Sequence, residues 1–135
     1  MLLIEWKDNY SVHVQSIDAQ HKKLISYINE LYDSMIAQET KEKLGGILDE
    51  LASYTEEHFS FEEKYFEEFN YLGKFSHMVE HKAFVDKIVD FKKKFDAGAL
   101  MLSTDVMNFL RDWLTNHIMG TDKKYSSFFN EHGMN

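Results

Sequence analysis

The chain has 135 residues, 44% of them hydrophobic and 15% aromatic, enough for a single domain spanning 1–135 with a real core. It has no cysteine, which excludes disulfides, thiolate metal sites and cysteine nucleophiles and leaves nitrogen and oxygen as metal ligands. A formal net charge of -8 argues against nucleic acid and anionic membrane as partners, because both require a basic face; it reads as a solvated exterior.

The opening Met1-Leu2-Leu3-Ile4 gives way at once to Glu5, Trp6, Lys7 and Asp8, too short an apolar run for a secretory signal. No run approaches a membrane span, so a cytoplasmic protein is expected. Residues 1–15 lack periodicity and are expected to form an N-terminal arm. Beyond them, apolar residues recur at helical spacing. The first stretch places Ile17, His21, Leu24, Ile25, Ile28, Leu31, Tyr32 and Met35 on one stripe. The second carries Leu44, Ile47, Leu48, Leu51, Thr55, His58, Glu62, Phe66 and Phe69. The third has His77, His81, Phe84, Val85, Ile88, Phe91 and Phe95, and the fourth Val106, Phe109, Leu110, Trp113, Leu114 and His117. Ser16, Thr40 and Ser103 are candidate N-caps, and Gly98 a candidate C-terminal stop. Gly45-Gly46 weakens the first turn of the second helix. Residues 123–135 are expected to hold a short final helix or turn.

Each stretch spans about 15 to 25 residues, or roughly 22 to 37 Å at helical rise. Short connections force neighbours to pack antiparallel. The expected fold is therefore all-α: an up-down-up-down four-helix bundle with an N-terminal arm and a short C-terminal segment.

Five of the seven histidines lie on the apolar stripes: His21, His58, His77, His81 and His117. A lone histidine on such a stripe is ordinarily a packed core residue. The spacings say more. His58 and Glu62 are four apart, as are His77 and His81, so each pair shares a helix face. In an antiparallel bundle the start of the first helix meets the end of the second, the start of the third and the end of the fourth. His21, His58, Glu62, His77, His81, His117 and Asp122 therefore converge on one layer. His117 and Asp122 are the exception in geometry: five residues of regular helix turn a side chain by roughly 140°. A break or π-type widening near Gly120 must bring them together.

Five imidazoles and two carboxylates are too many for one ion and suit two. Two six-coordinate ions need about twelve ligand bonds, and these groups with one shared oxygen supply all but one. Softness alone suits iron, manganese or zinc; an open position on a redox-capable metal favours iron. Two buried carboxylates are costly unless cations pair with them, which agrees with a dinuclear site.

With these motifs in hand, the chain resembles the hemerythrin family, specifically its single-domain bacterial members. The resemblance runs from Trp6 to Lys123-Lys124-Tyr125. It rests on Ile17-Asp18-Ala19-Gln20-His21, His58-x-x-x-Glu62, His77-x-x-x-His81 and Trp113-Leu114-x-x-His117-x-x-x-x-Asp122. It implies two iron ions with an oxo or hydroxo bridge. His77, His81 and His117 would ligate one iron, and His21 and His58 the other, which keeps a position open for oxygen. Glu62 and Asp122 would bridge both. The family pattern also implies an oxygen pocket lined by Leu24, Phe59, Trp113, Leu114 and Ile118. Glu63, five residues from His58, is assigned to the surface side, and His13 and His132 to solvent. Tyr71-Leu72-Gly73 departs from the family, which often has proline after this tyrosine; glycine supplies the turn instead.

The implied function is reversible oxygen binding for transport, storage or local supply, without catalysis. An oxygen-consuming enzyme would receive the oxygen, and the chain is expected to be a monomer. The alternatives are oxygen or redox sensing through a partner, a di-iron oxidase or peroxidase, and an iron reservoir. Ferritin-like oxidases use Glu-x-x-His pairs, a spacing absent here.

Overall fold

The computed structural model describes residues 2–135. The long helices are α1 (Gln15–Ile36), α2 (Lys41–Glu68), α3 (Lys74–Asp96) and α4 (Thr104–Asn116), followed by the short α5 (Ser126–Glu131). Helices are the only regular elements among the described residues. α1 packs on α2 and α4, and α2 packs on α3, which is the expected antiparallel four-helix bundle. No helix among the described residues is long and apolar enough to cross a membrane.

Two of the three expected caps form. The Thr40 side chain accepts from the Lys43 N–H at 3.2 Å, and Ser103 accepts from the Val106 N–H at 3.3 Å. Each satisfies one of the free amides of a first helical turn. Ser16 does not cap: α1 begins at Gln15, with Val14 extended before it. Ser16 therefore lies inside the first turn, and the side chain that ties this turn to the arm is that of Asp18. Its carboxylate accepts from the Val12 N–H at 2.9 Å and the Ser11 hydroxyl at 2.5 Å. Gly98 ends α3 as expected, with φ +75° and its N–H bonded to the Phe95 carbonyl. Gly45 and Gly46, by contrast, do not interrupt α2. Burial of Ile47 and Leu48 offsets a propensity cost of about 1 kcal/mol per glycine.

Two apolar clusters fill the bundle. The larger gathers Leu24, Ile28, Leu31, Leu48, Leu51, Phe84, Ile88, Met107, Leu110 and Leu114, among others, from all four long helices. The smaller, at one end, comprises Val12, Val14, Ile17, Phe66, Tyr125 and Phe129. The N-terminal arm and the C-terminal segment therefore build a floor under the bundle. Ser126 donates to the Val12 carbonyl at 2.5 Å and Asn130 to the His13 carbonyl at 2.9 Å. Farther up, the side chain of buried Asn29 exchanges two hydrogen bonds with the backbone of Ile4, fixing the start of the arm. The layer between the two clusters is where the histidines lie.

Candidate metal centre

His21 comes from the first turns of α1, His58 and Glu62 from the second half of α2, and His77 and His81 from the start of α3. α4 ends at Asn116, and a π-turn over His117–Thr121 follows, then a 3-10 turn over Asp122–Tyr125. The π-turn is the widening that the His117–Asp122 spacing requires. It carries both side chains inward: His117 is 3% exposed and Asp122 fully buried. Gly120 is not its steric cause. Its backbone is not left-handed, and a Cβ added there would meet nothing within 4 Å.

All seven predicted residues are buried, and the structure brings all seven together. They form two overlapping groups. Glu62, His77, His81, His117 and Asp122 have ligand atoms within 4.8 Å of one another; so do His21, His58, Glu62 and Asp122. Both carboxylates belong to both groups, which divides the histidines three and two. The approaches are short. Asp122 lies 2.9 Å from His77 Nε2, 3.0 Å from His117 Nε2 and 3.1 Å from His21 Nε2. Glu62 Oε1 lies 3.2 Å from His81 Nε2 and 3.3 Å from His58 Nε2.

Yet the inward-facing atoms lack hydrogen-bond partners. These include Nε2 of His21, His77, His81 and His117, Oε1 of Glu62 and both oxygens of Asp122. So many unpartnered buried polar atoms would cost several kcal/mol if left alone. The donor set fits cations: lone pairs face inward, and three of the rings make hydrogen bonds on their outer side, whereas His21 Nδ1 is buried without a partner. His58 Nδ1 is 2.6 Å from Gln20 Oε1, His81 Nδ1 is 2.8 Å from Glu63, and His117 Nδ1 is 3.1 Å from Glu80. Such outer bonds fix the tautomer that presents Nε2 to a metal.

Burial and neighbouring charge pull these groups in opposite directions. Burial pulls His58 and His81 down to about 4. For His117 burial also works downward, but the close negative charge of Asp122 prevails, raising it to about 9. The Asp122 carboxyl is held well below its usual range by His117 and the other rings, against the effect of burial. Burial pushes the Tyr125 hydroxyl up, and the Asp122 and Glu62 charges add to it. That hydroxyl donates to Glu62 Oε2, so the second oxygen of this carboxylate is satisfied by protein.

The model of the hemerythrin HHE cation binding domain matches residues 12–128. A bacteriohemerythrin of Stenotrophomonas maltophilia is 32% identical over 134 residues, covering 98% of this chain and 85% of the relative. One from Methylococcus capsulatus is 35% identical, covering 93% and 95%. A solved wild-type hemerythrin superposes with a TM-score of 0.88 at 34% identity, over 93% of this chain and 96% of that one. The chain belongs to the hemerythrin family.

Within this hemerythrin the five residues expected at the pocket all belong to the larger apolar cluster or pack against it. Leu24, Phe59, Leu114 and Ile118 are buried in the larger cluster, with Trp113 packed against it. Phe59 lies flat on the His81 ring at 3.7 Å between centroids, and Trp113 on the His117 ring at 4.5 Å. His13 and His132 are exposed, as expected. Glu63 is a correction. Its side chain is 30% exposed, but it turns inward to bond His81, because a long side chain at the helix edge reaches the ring's outer nitrogen. Gln20, Glu80, Thr121 and Tyr125 were not foreseen as contributors to the site. Gln20 and Tyr125 stand within the stretches that carry the family resemblance, whereas Glu80 and Thr121 are marked only by adjacency to ligands.

Proposed function

We propose that this hemerythrin binds molecular oxygen reversibly at a pair of iron ions held by His21, His58, Glu62, His77, His81, His117 and Asp122. The observation that carries the reading is the pair of overlapping ligand groups that share both carboxylates. His77, His81 and His117 would hold one ion, and His21 and His58 the other, which would have one protein ligand fewer. When bound, the iron supplies redox-linked, reversible oxygen binding.

The chain's own contribution is to place, satisfy and shield. Glu62 and Asp122 present carboxylate oxygens to both positions, and their negative charge makes a buried pair of cations tolerable. Tyr125 holds Glu62 by its hydroxyl. Gln20, Glu63 and Glu80 orient three of the imidazoles through Nδ1. Leu24, Phe59, Trp113, Leu114 and Ile118 make an apolar lining that keeps water and protons from bound oxygen.

The test is spectroscopic. Iron-loaded protein is reduced without air, exposed to oxygen, then stripped of it. A visible charge-transfer band that appears and disappears over repeated cycles is the expected result. Irreversible bleaching with release of a reduced oxygen species would overturn the reading in favour of an oxidase.

A further inference from the structure

The cage depends on an irregular turn. His117 and Asp122 share a centre only because residues His117–Thr121 widen into a π-turn. Such turns are rare, and a regular α-helical register would place Asp122 roughly 140° around the axis from His117. Glycine chemistry does not enforce it, since Gly120 is neither left-handed nor crowded. Both ends of the turn are instead tied to one side chain on the neighbouring helix. Glu80 Oε1 lies 3.1 Å from His117 Nδ1, at the first residue of the turn. The Thr121 hydroxyl, at the last residue, donates to Glu80 Oε1 at 2.8 Å and faces Oε2 at 3.0 Å. Glu80 itself sits between His77 and His81 on α3.

We propose that Glu80 and Thr121 form a staple that holds the π-turn against α3 and thereby brings His117 and Asp122 into register with His77 and His81. Glu80 and Thr121 are positioning residues: they act through ligands. This inference rests on the metal-centre reading above. Glu80 has a second effect. As an anionic acceptor of the His117 Nδ1–H it makes the ring a stronger donor through Nε2 and favours the more highly charged, oxidised metal. The other outer partners lack the first role. Glu63 bonds His81 and Gln20 bonds His58, and both pairs lie within regular helices.

The two roles separate by substitution in the iron-loaded full chain. Three quantities are read: iron content, the rate at which excess chelator removes iron, and the midpoint potential. Thr121→Val removes the hydroxyl at nearly constant shape and is expected to speed iron release about ten- to a hundred-fold, the usual effect of losing an outer partner. Thr121→Ser is expected to restore slow release. Glu80→Gln keeps an acceptor oxygen for both donors but removes the charge, so release stays near wild type while the midpoint potential rises. Glu63→Gln is expected to raise the potential also, again without fast release. Release from Thr121→Val at the wild-type rate, or equally fast release from Thr121→Val and Thr121→Ser, overturns the staple. An unchanged potential in Glu80→Gln overturns the electrostatic role. Wild-type protein that takes up no iron would overturn the metal-centre reading and the staple together. Wild-type protein with two irons and an indifferent Thr121→Val would overturn the staple alone.

Discussion

Leu114 tests whether the apolar layer over the metal centre shields it or merely packs. Its side chain is 3% exposed and lies one helical turn before His117. Leu114→Ala removes three carbon atoms, worth about 2.4 kcal/mol in transfer at about 0.8 kcal/mol each. The unrelaxed cavity raises the total to about 3 to 4 kcal/mol. For a chain of this size that lowers the melting temperature by about 10 °C. Leu51 is the control. It is 1% exposed and belongs to the same cluster, but stands about two helical turns before His58 on α2. Leu51→Ala has the same transfer and cavity costs.

The two cavities differ in what borders them. A cavity holds water only where polar partners are available. Leu114 stands one helical turn before His117, so its cavity would open toward the imidazole layer. Around Leu51 the cluster is apolar except for the Thr55 hydroxyl, which is already spent on the Leu51 carbonyl at 2.7 Å, so its cavity stays dry. The expected outcome is a similar loss of thermal stability in both variants, with faster autoxidation only in Leu114→Ala. The assay is the decay of the oxygenated visible band in air, beside a thermal melt of each protein. Equal autoxidation rates in the two variants would refute the shielding argument, whatever the melts show.

Other outcomes follow from the same geometry. His21→Ala removes one of the two histidines of the poorer group while leaving Glu62, His77, His81, His117 and Asp122 intact; iron analysis should fall from about two ions per chain toward one, and oxygen binding should be lost. Gly120→Ala should leave iron content unchanged and raise stability by up to about 1 kcal/mol, because the added methyl meets nothing. Thr40→Ala should cost about 1 kcal/mol in a denaturant titration through the lost cap of α2. Metal-free protein should melt highest near pH 6.5. Below that, unfolded chains take up protons that His58 and His81, held at about 4, refuse when folded, costing about 3 kcal/mol for each histidine by pH 4. Above it, the stability contributed by His117, raised to about 9, is lost as pH climbs through that value.

What could be read from the sequence was whatever helical periodicity fixes within one segment. The stripes placed four helices, and antiparallel order placed their ends, so seven side chains from separate segments could be assigned to one layer before any coordinates. The five-residue step from His117 to Asp122 was informative because it failed: regular helix could not satisfy it, so an irregular turn was required. Periodicity could not say what holds that turn. Gly120 was the obvious local candidate, yet the structure gives it no steric role and puts the restraint on α3, at Glu80, whose partners Thr121 and His117 lie 41 and 37 residues away. Glu63 was misread for the same reason. Residue spacing defines where a side chain leaves its helix, but a flexible glutamate finds its partner across the groove, and the rotation of the facing helix decides whether His81 Nδ1 is there. Ser16 does not cap because α1 starts one residue before it, and the bonds from this turn to the arm are made by Asp18. The inward ligands are specified by short-range pattern, whereas the groups that orient them are specified by packing between helices. Substitutions at Gln20, Glu63, Glu80 and Thr121 should therefore distinguish members of this family that share all seven ligands.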